Sequence, residues 1–140
     1  MNIWWDFVID VPYMYRKVAC IVALLCGCRP RGLQSNLSHR ICNICNSQSC
    51  DTPVHILFEC EALVHVRYMV WDKLVSCMPA RMAADILECS NIQKYTLMIS
   101  GLKCTRYVRE WRDIFRNVAF FVHTMYNERK RKYDEVENAI

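Results

Sequence analysis

The sequence predicts a mainly α fold, with about four to five helices packed around a small irregular loop region. Three observations carry this expectation. Apolar residues recur at helical spacing over several long stretches, hydrophobic residues make up 54% of the chain, and only three Gly and four Pro punctuate its 140 residues. A many-stranded sandwich or barrel needs frequent turn signals, and these are sparse here. The length suits one domain spanning residues 1–140, and 23% charged residues is ordinary globular composition.

Taken in order, Asp10, Val11 and Pro12 read as an N-cap and first turn, after which Met14, Val18, Ile21, Val22 and Leu25 recur at helical spacing until Gly27. Beyond Arg29 the periodicity dissolves into Arg29-Pro30-Arg31-Gly32, Asn36, Asn43, Asn46-Ser47 and Asp51-Thr52-Pro53. A loop that long inside a compact domain needs support other than an apolar core. Leu63, Val66, Val70, Leu74 and Cys77 then form an apolar stripe with Arg67 and Lys73 off it, which predicts a helix of about five turns up to Pro79. Ser90 caps a shorter helix in which Ile92, Tyr95, Ile99 and Leu102 recur, closing near Gly101. The last helix is the longest, over residues 106–132. Val108, Trp111, Phe115, Val118, Val122 and Met125 share one of its arcs, and Arg106, Arg109, Arg112, Arg116 and Lys130 lie roughly opposite. Residues 134–140 are expected to fray.

Ten Cys leave three readings open: a secreted disulfide framework, a metal site, or buried thiols acting as small hydrophobes. Residues 18–28 are as apolar as a signal-peptide core, but the segment before Arg16 carries Asp6 and Asp10 and no Lys or Arg, and no A-x-A-like cleavage site follows. No run approaches the ~18 apolar residues of a membrane span. The expectation is an intracellular protein, nuclear or cytoplasmic, with reduced thiols and no membrane partner.

Cys42-x2-Cys45 has the spacing at which a tight turn aims two sulfurs at one ion, and His55-x4-Cys60 follows with the spacing of a second ligand pair. Together they make the Cys3His set of a closed structural site, and soft thiolates with one imidazole select Zn2+ over calcium, magnesium or manganese. Metal binding would order residues 29–60, since its free energy becomes folding free energy. Cys50 and His39 lie near enough in sequence to replace a ligand or to support one. Cys20, Cys26, Cys28, Cys77, Cys89 and Cys104 read as buried thiols, and His65 and His123 as bystanders.

Leu24-Leu25-Cys26-Gly27, Leu33-Gln34-Ser35-Asn36, Cys42-x2-Cys45, Asp51 ahead of His55, and His55-Ile56-Leu57-Phe58-Glu59-Cys60 before Leu63 and Arg67 come in a specific order. This pattern, over roughly residues 18–74, resembles the zinc-binding region that follows the polymerase core of non-LTR retrotransposon reverse transcriptases. Cys26 stands where that family tends to have threonine, the link from Asn36 to Cys42 is short, and Cys50 is additional. The resemblance implies a C-terminal accessory part of such an element, either a truncated copy or a coding fragment adopted by a host.

Polymerisation needs carboxylates that hold two metal ions, and no Asp-Asp or similar strand-borne acidic pair occurs in this sequence. The expectation is therefore a non-catalytic module with no small-molecule substrate. It would contact RNA or DNA nonspecifically through Arg29, Arg31 and Arg40 of the loop, Arg106, Arg109, Arg112 and Arg116 of the last helix, and Arg129, Lys130, Arg131 and Lys132. The opposing reading is a solvated helix face, its arginines paired with Glu110, Asp113 and Glu128 at helical spacing. In a second functional reading the chain is a protein-interaction or structural fragment, whose apolar start at Trp4, Trp5, Phe7, Val8 and Ile9 packs on a partner such as a polymerase domain.

Overall fold

The computed structural model describes residues 41–99 and 111–139. The expected first helix, the apolar start and the arginines at 29, 31, 40, 106 and 109 lie outside these residues. The described part is mainly helical, as the periodicity predicts, and its one pairing of extended backbone is an isolated antiparallel bridge between Ile41 and Cys50. After that loop come a π turn (His55–Glu59), a 3-10 turn (Glu61–Leu63), and four α-helices: α1 (Val64–Ser76), α2 (Ala80–Leu87), α3 (Asn91–Ile99) and α4 (Trp111–Asn138).

The helix expected up to Pro79 is shorter than its apolar stripe. Cys60 has an extended backbone, the 3-10 turn absorbs Leu63, and α1 ends with the Cys77 amide bonded to the carbonyls of Leu74 and Val75. Val70 and Leu74 are its buried face. Helix α2, missing from the sequence expectation, begins beyond Pro79, whose carbonyl accepts from the Ala83 amide. Its inward side chain is Ile86, with Met82 and Ala83 half-buried beside the core. Ser90 caps α3 as expected. Its hydroxyl accepts from the Gln93 amide at 3.2 Å while the Gln93 side chain accepts from the Ser90 amide at 2.8 Å, a reciprocal capping box. The buried member of α3 is Met98, whereas Ile92 points outward at 67% exposure.

Helix α4 is the spine of the core. Ile114, Phe115, Val118, Ala119, Phe121, Val122, Met125 and Tyr126 are all buried, a broader arc than a single row because α1 and the π turn both pack against it. Phe58 of the π turn stacks on Phe121 at 5.8 Å, and Trp71 of α1 meets both rings edge-on at 5.6 Å and 5.5 Å. Phe121 is fully buried, which contributes about 1.5–3 kcal/mol, while Phe58 and Trp71 are partly buried. This aromatic triad fixes the π turn, and with it the loop, onto α1 and α4. Residues 134–138, expected to fray, continue α4 as helix with mostly exposed side chains.

Candidate metal centre

The ligand atoms of Cys42, Cys45, His55 and Cys60 lie within 4.8 Å of one another, close enough to hold one metal ion. Cys42 Sγ is 3.8 Å from Cys60 Sγ, and Cys45 Sγ is 3.4 Å from His55 Nε2. Each pair joins one ligand from the Cys42 side of the loop to one from the His55 side, so an ion here would cross-link the two.

Local backbone explains how the ligands converge. The Cys42 amide donates to the Ser49 carbonyl at 2.9 Å, closing the loop on itself, and Gln48 turns it with a left-handed φ of 57°. That conformation costs a non-glycine residue about 1–2 kcal/mol, so the surrounding bonds must hold it. The Ser47 hydroxyl lies 3.0 Å from Cys45 Sγ and orients that sulfur. On the other side, the Thr52 hydroxyl accepts from the His55 amide at 3.2 Å and the Thr52 carbonyl from the Ile56 amide at 3.0 Å, which starts the helical turn at the first ligand. At 3.6 residues per turn, positions five apart point about 140° away from each other. Here the Cys60 amide instead donates to the His55 carbonyl at 2.7 Å, the wider π closure, and this swings Cys60 back to the side of His55.

The turn leaves carbonyls without helical partners, and Arg67 of α1 takes them. Its Nε donates to the Leu57 carbonyl at 2.9 Å, and its Nη2 donates to the carbonyls of Cys60 at 2.8 Å and Ile56 at 3.3 Å. Burial lowers the Arg67 pKa from its ordinary value, while the nearby charges of Cys60 and Glu59 raise it. In sequence Arg67 lies off the apolar stripe and closes the pattern that carries the resemblance; in the structure it holds the carbonyl of Cys60 in place.

Cys42 and Cys60 behave as one acid. Donation from the Cys60 thiol lowers Cys42 to about 4, further aided by the Ile44 amide and by His55 and Cys45 against the opposing effect of burial. The same bond, with burial, raises Cys60. A metal ion bound here would take the place of the proton shared between the two sulfurs. His55 is buried with Nδ1 lacking any hydrogen-bond partner, so its ring is held by packing and by what its other nitrogen meets.

Cys50 is exposed and outside the cluster, and His65 and His123 are exposed on α1 and α4. Cys77 and Cys89 are partly buried rather than fully enclosed, and His39 lies outside the described residues.

One basic residue requires correction. Arg129, grouped in sequence with the surface run at residues 129–132, is 1% exposed. Its guanidinium donates to both Asp51 carboxylate oxygens at 2.9 Å and 3.5 Å and to Asn43 Oδ1 at 3.1 Å, and lies 5.4 Å over the Tyr133 ring. Asp51 is 2% exposed and Asn43 follows the first ligand, so Arg129 clasps the metal loop to α4 and is sealed from any phosphate. Among the other basic positions, Arg116 and Lys130 are exposed and Lys132 is half-buried, while for Arg112 only the helical backbone is described. Arg131 pairs with Glu128 and Glu135, and Arg116 approaches Asp113 at 4.0 Å, as the solvated-face reading anticipates.

No described helix is long and apolar enough to cross a membrane. Comparison of the chain with protein-family models, with curated proteins and with solved structures finds no match in any of the three.

Proposed function

We propose that the chain is a non-catalytic zinc-binding accessory module of retrotransposon origin that contacts RNA or DNA nonspecifically. The observation that carries the metal half is the Cys42, Cys45, His55 and Cys60 cluster. Ligands around a tetrahedral zinc ion, at about 2.3 Å for sulfur and about 2.0–2.1 Å for nitrogen, stand about 3.8 Å apart for sulfur pairs and about 3.5 Å for sulfur and nitrogen. The measured 3.8 Å and 3.4 Å edges fit those spacings, and three sulfurs with an imidazole suit zinc over the hard cations. With all four positions filled by protein the ion has no open site for a substrate, so its role is to fix the loop.

The nucleic-acid half and the origin rest on the family resemblance and on the clustering of Arg106, Arg109, Arg112 and Arg116 in sequence, since a net charge of +4 is by itself modest. The intracellular setting, nuclear or cytoplasmic, follows from the same resemblance and from thiols kept reduced for metal. The second reading, a fragment that packs on a protein partner, is favoured by Leu87, Ile92 and Phe120, which are 56%, 67% and 47% exposed.

Elemental analysis tests the first half. One zinc per chain is expected, lost in Cys42→Ser and retained in Cys50→Ser and in a His65→Ala, His123→Ala double variant; retention in Cys42→Ser breaks the assignment. Binding of labelled single strands across a salt series tests the second half. If about four phosphates of a single strand are neutralised, the logarithm of affinity falls with a slope of about −3 against the logarithm of salt concentration. Charge reversal at Arg109, Arg112 and Arg116 flattens that slope. No binding at low salt makes the protein-partner reading the better one.

A further inference from the structure

A cleft of about 150 Å³ opens between the π turn, α1 and α3, lined by Phe58, Val64, Tyr68, Trp71, Asn91 and Lys94 among others. Three of its lining residues, Phe58, Tyr68 and Trp71, are aromatic, yet it faces solvent. Tyr68 is 78% exposed although Trp71, three residues on along the same helix face, is half-buried. Phe58 and Trp71 are braced from behind by Phe121, so the floor is rigid, while the Tyr68 ring stands out at the rim. Lys94 of α3 places its ammonium 5.2 Å over the Trp71 ring. The Asn91 amide donates to Glu59 at 3.4 Å, which leaves its carbonyl oxygen as an acceptor at the same rim. Glu59 is the acidic group at this end, and the Arg67 guanidinium beneath it is committed to the carbonyls of the π turn.

We propose that this cleft seats one unstacked base of single-stranded nucleic acid, with the exposed Tyr68 ring as its stacking surface and Lys94, held over Trp71, at the adjoining phosphate. This deepens the nucleic-acid reading above and rests on it. Every base has a π face, so an aromatic platform takes any sequence, and a single cation beside it matches the one charge per nucleotide of a strand. An acidic peptide would match the lysine but would leave the ring of Tyr68 without a planar partner. The lining belongs to α1, α3 and the π turn, none of which carries the arginine face of α4, so the two surfaces can be separated by mutation.

The test uses the metal-loaded full chain and two labelled strands of equal length, an oligothymidylate and an abasic deoxyribose phosphate polymer, read by fluorescence anisotropy. Tyr68→Ala, at an exposed position that the fold does not need, is expected to weaken oligothymidylate binding about tenfold to a hundredfold with the salt slope unchanged. It should leave binding of the abasic strand as it was. Lys94→Gln is expected to make the slope shallower by about one for both strands. Wild-type affinity for oligothymidylate in Tyr68→Ala overturns the base site while leaving the nucleic-acid reading standing. Absence of binding by the unmodified protein at low salt overturns both.

Discussion

Replacing Arg129 with Met removes a cation from the most enclosed polar contact of the described protein. Asp51, itself 2% exposed, would keep its place between the metal loop and α4 with no guanidinium 2.9 Å away. Breaking a buried pair from one side costs about 3–5 kcal/mol, because a charge is left behind in a poor solvent. Arg129 Nη1 already has no hydrogen-bond partner, and a buried donor left unmade costs about 1–3 kcal/mol, so the lower end, about 3 kcal/mol, is the expectation. Urea unfolding of the zinc-loaded protein, followed by circular dichroism, reads it. The second arm pairs Arg129→Met with Asp51→Leu: with both charges gone, stability should return to within about 1 kcal/mol of the parent or exceed it. A surface arginine would behave otherwise. A loss below about 0.5 kcal/mol in Arg129→Met, or a double variant no more stable than the single one, refutes the clasp.

Arg67→Met should cost about 3 kcal/mol, since three carbonyls lose charge-assisted donors, and should weaken zinc affinity in a chelator competition; Arg67→Lys, a point charge without the fork, should recover only part. Gln48→Gly should leave zinc affinity within about twofold, while Gln48→Val, β-branched at a φ of 57°, should lower it, as the same competition reads. Burial, with a smaller effect of Asp113, raises the Cys77 thiol above its ordinary value. Its stabilising effect is therefore complete below the unfolded thiol pKa and is lost as pH rises through the folded one. The urea midpoint should fall less between pH 8 and 10 in Cys77→Ala than in the parent, and iodoacetamide at pH 8 should label exposed Cys50 before Cys77.

The long helices and the four residues of the candidate metal cluster could be read from sequence because each depends on spacing within one short segment. Phe115, Val118, Val122 and Met125 repeat at the period of α4, and Cys42-x2-Cys45 needs only its own turn. Helix α2 is amphipathic, yet its eight residues make barely two turns between Pro79 and Ser90, too short a run for helical spacing to be told from a loop. The π closure is invisible to propensity, which does not distinguish bonding four residues back from five. Arg129 was legible but misread. It continues the row of Val118, Val122 and Met125 at helical spacing, yet its basic neighbours made the run look like surface. Its partner Asp51 lies far away in sequence, and no local pattern marks such a pair.

That distance bears on the order in which the protein assembles. Cys42 and Cys60 are 18 residues apart, whereas Asp51 and Arg129 are 78 apart. Closing the short loop costs less chain entropy, so the metal ligands can meet while the rest of the chain is still being made. If the cluster binds an ion, a nascent chain would load it first and wait, with the Asp51 carboxylate still wetted by solvent. Docking of α4 is then the late, non-local step, and Arg129 dries that carboxylate as it arrives. Translation arrested before Arg129 should yield a peptide that holds metal but protects few amides from exchange.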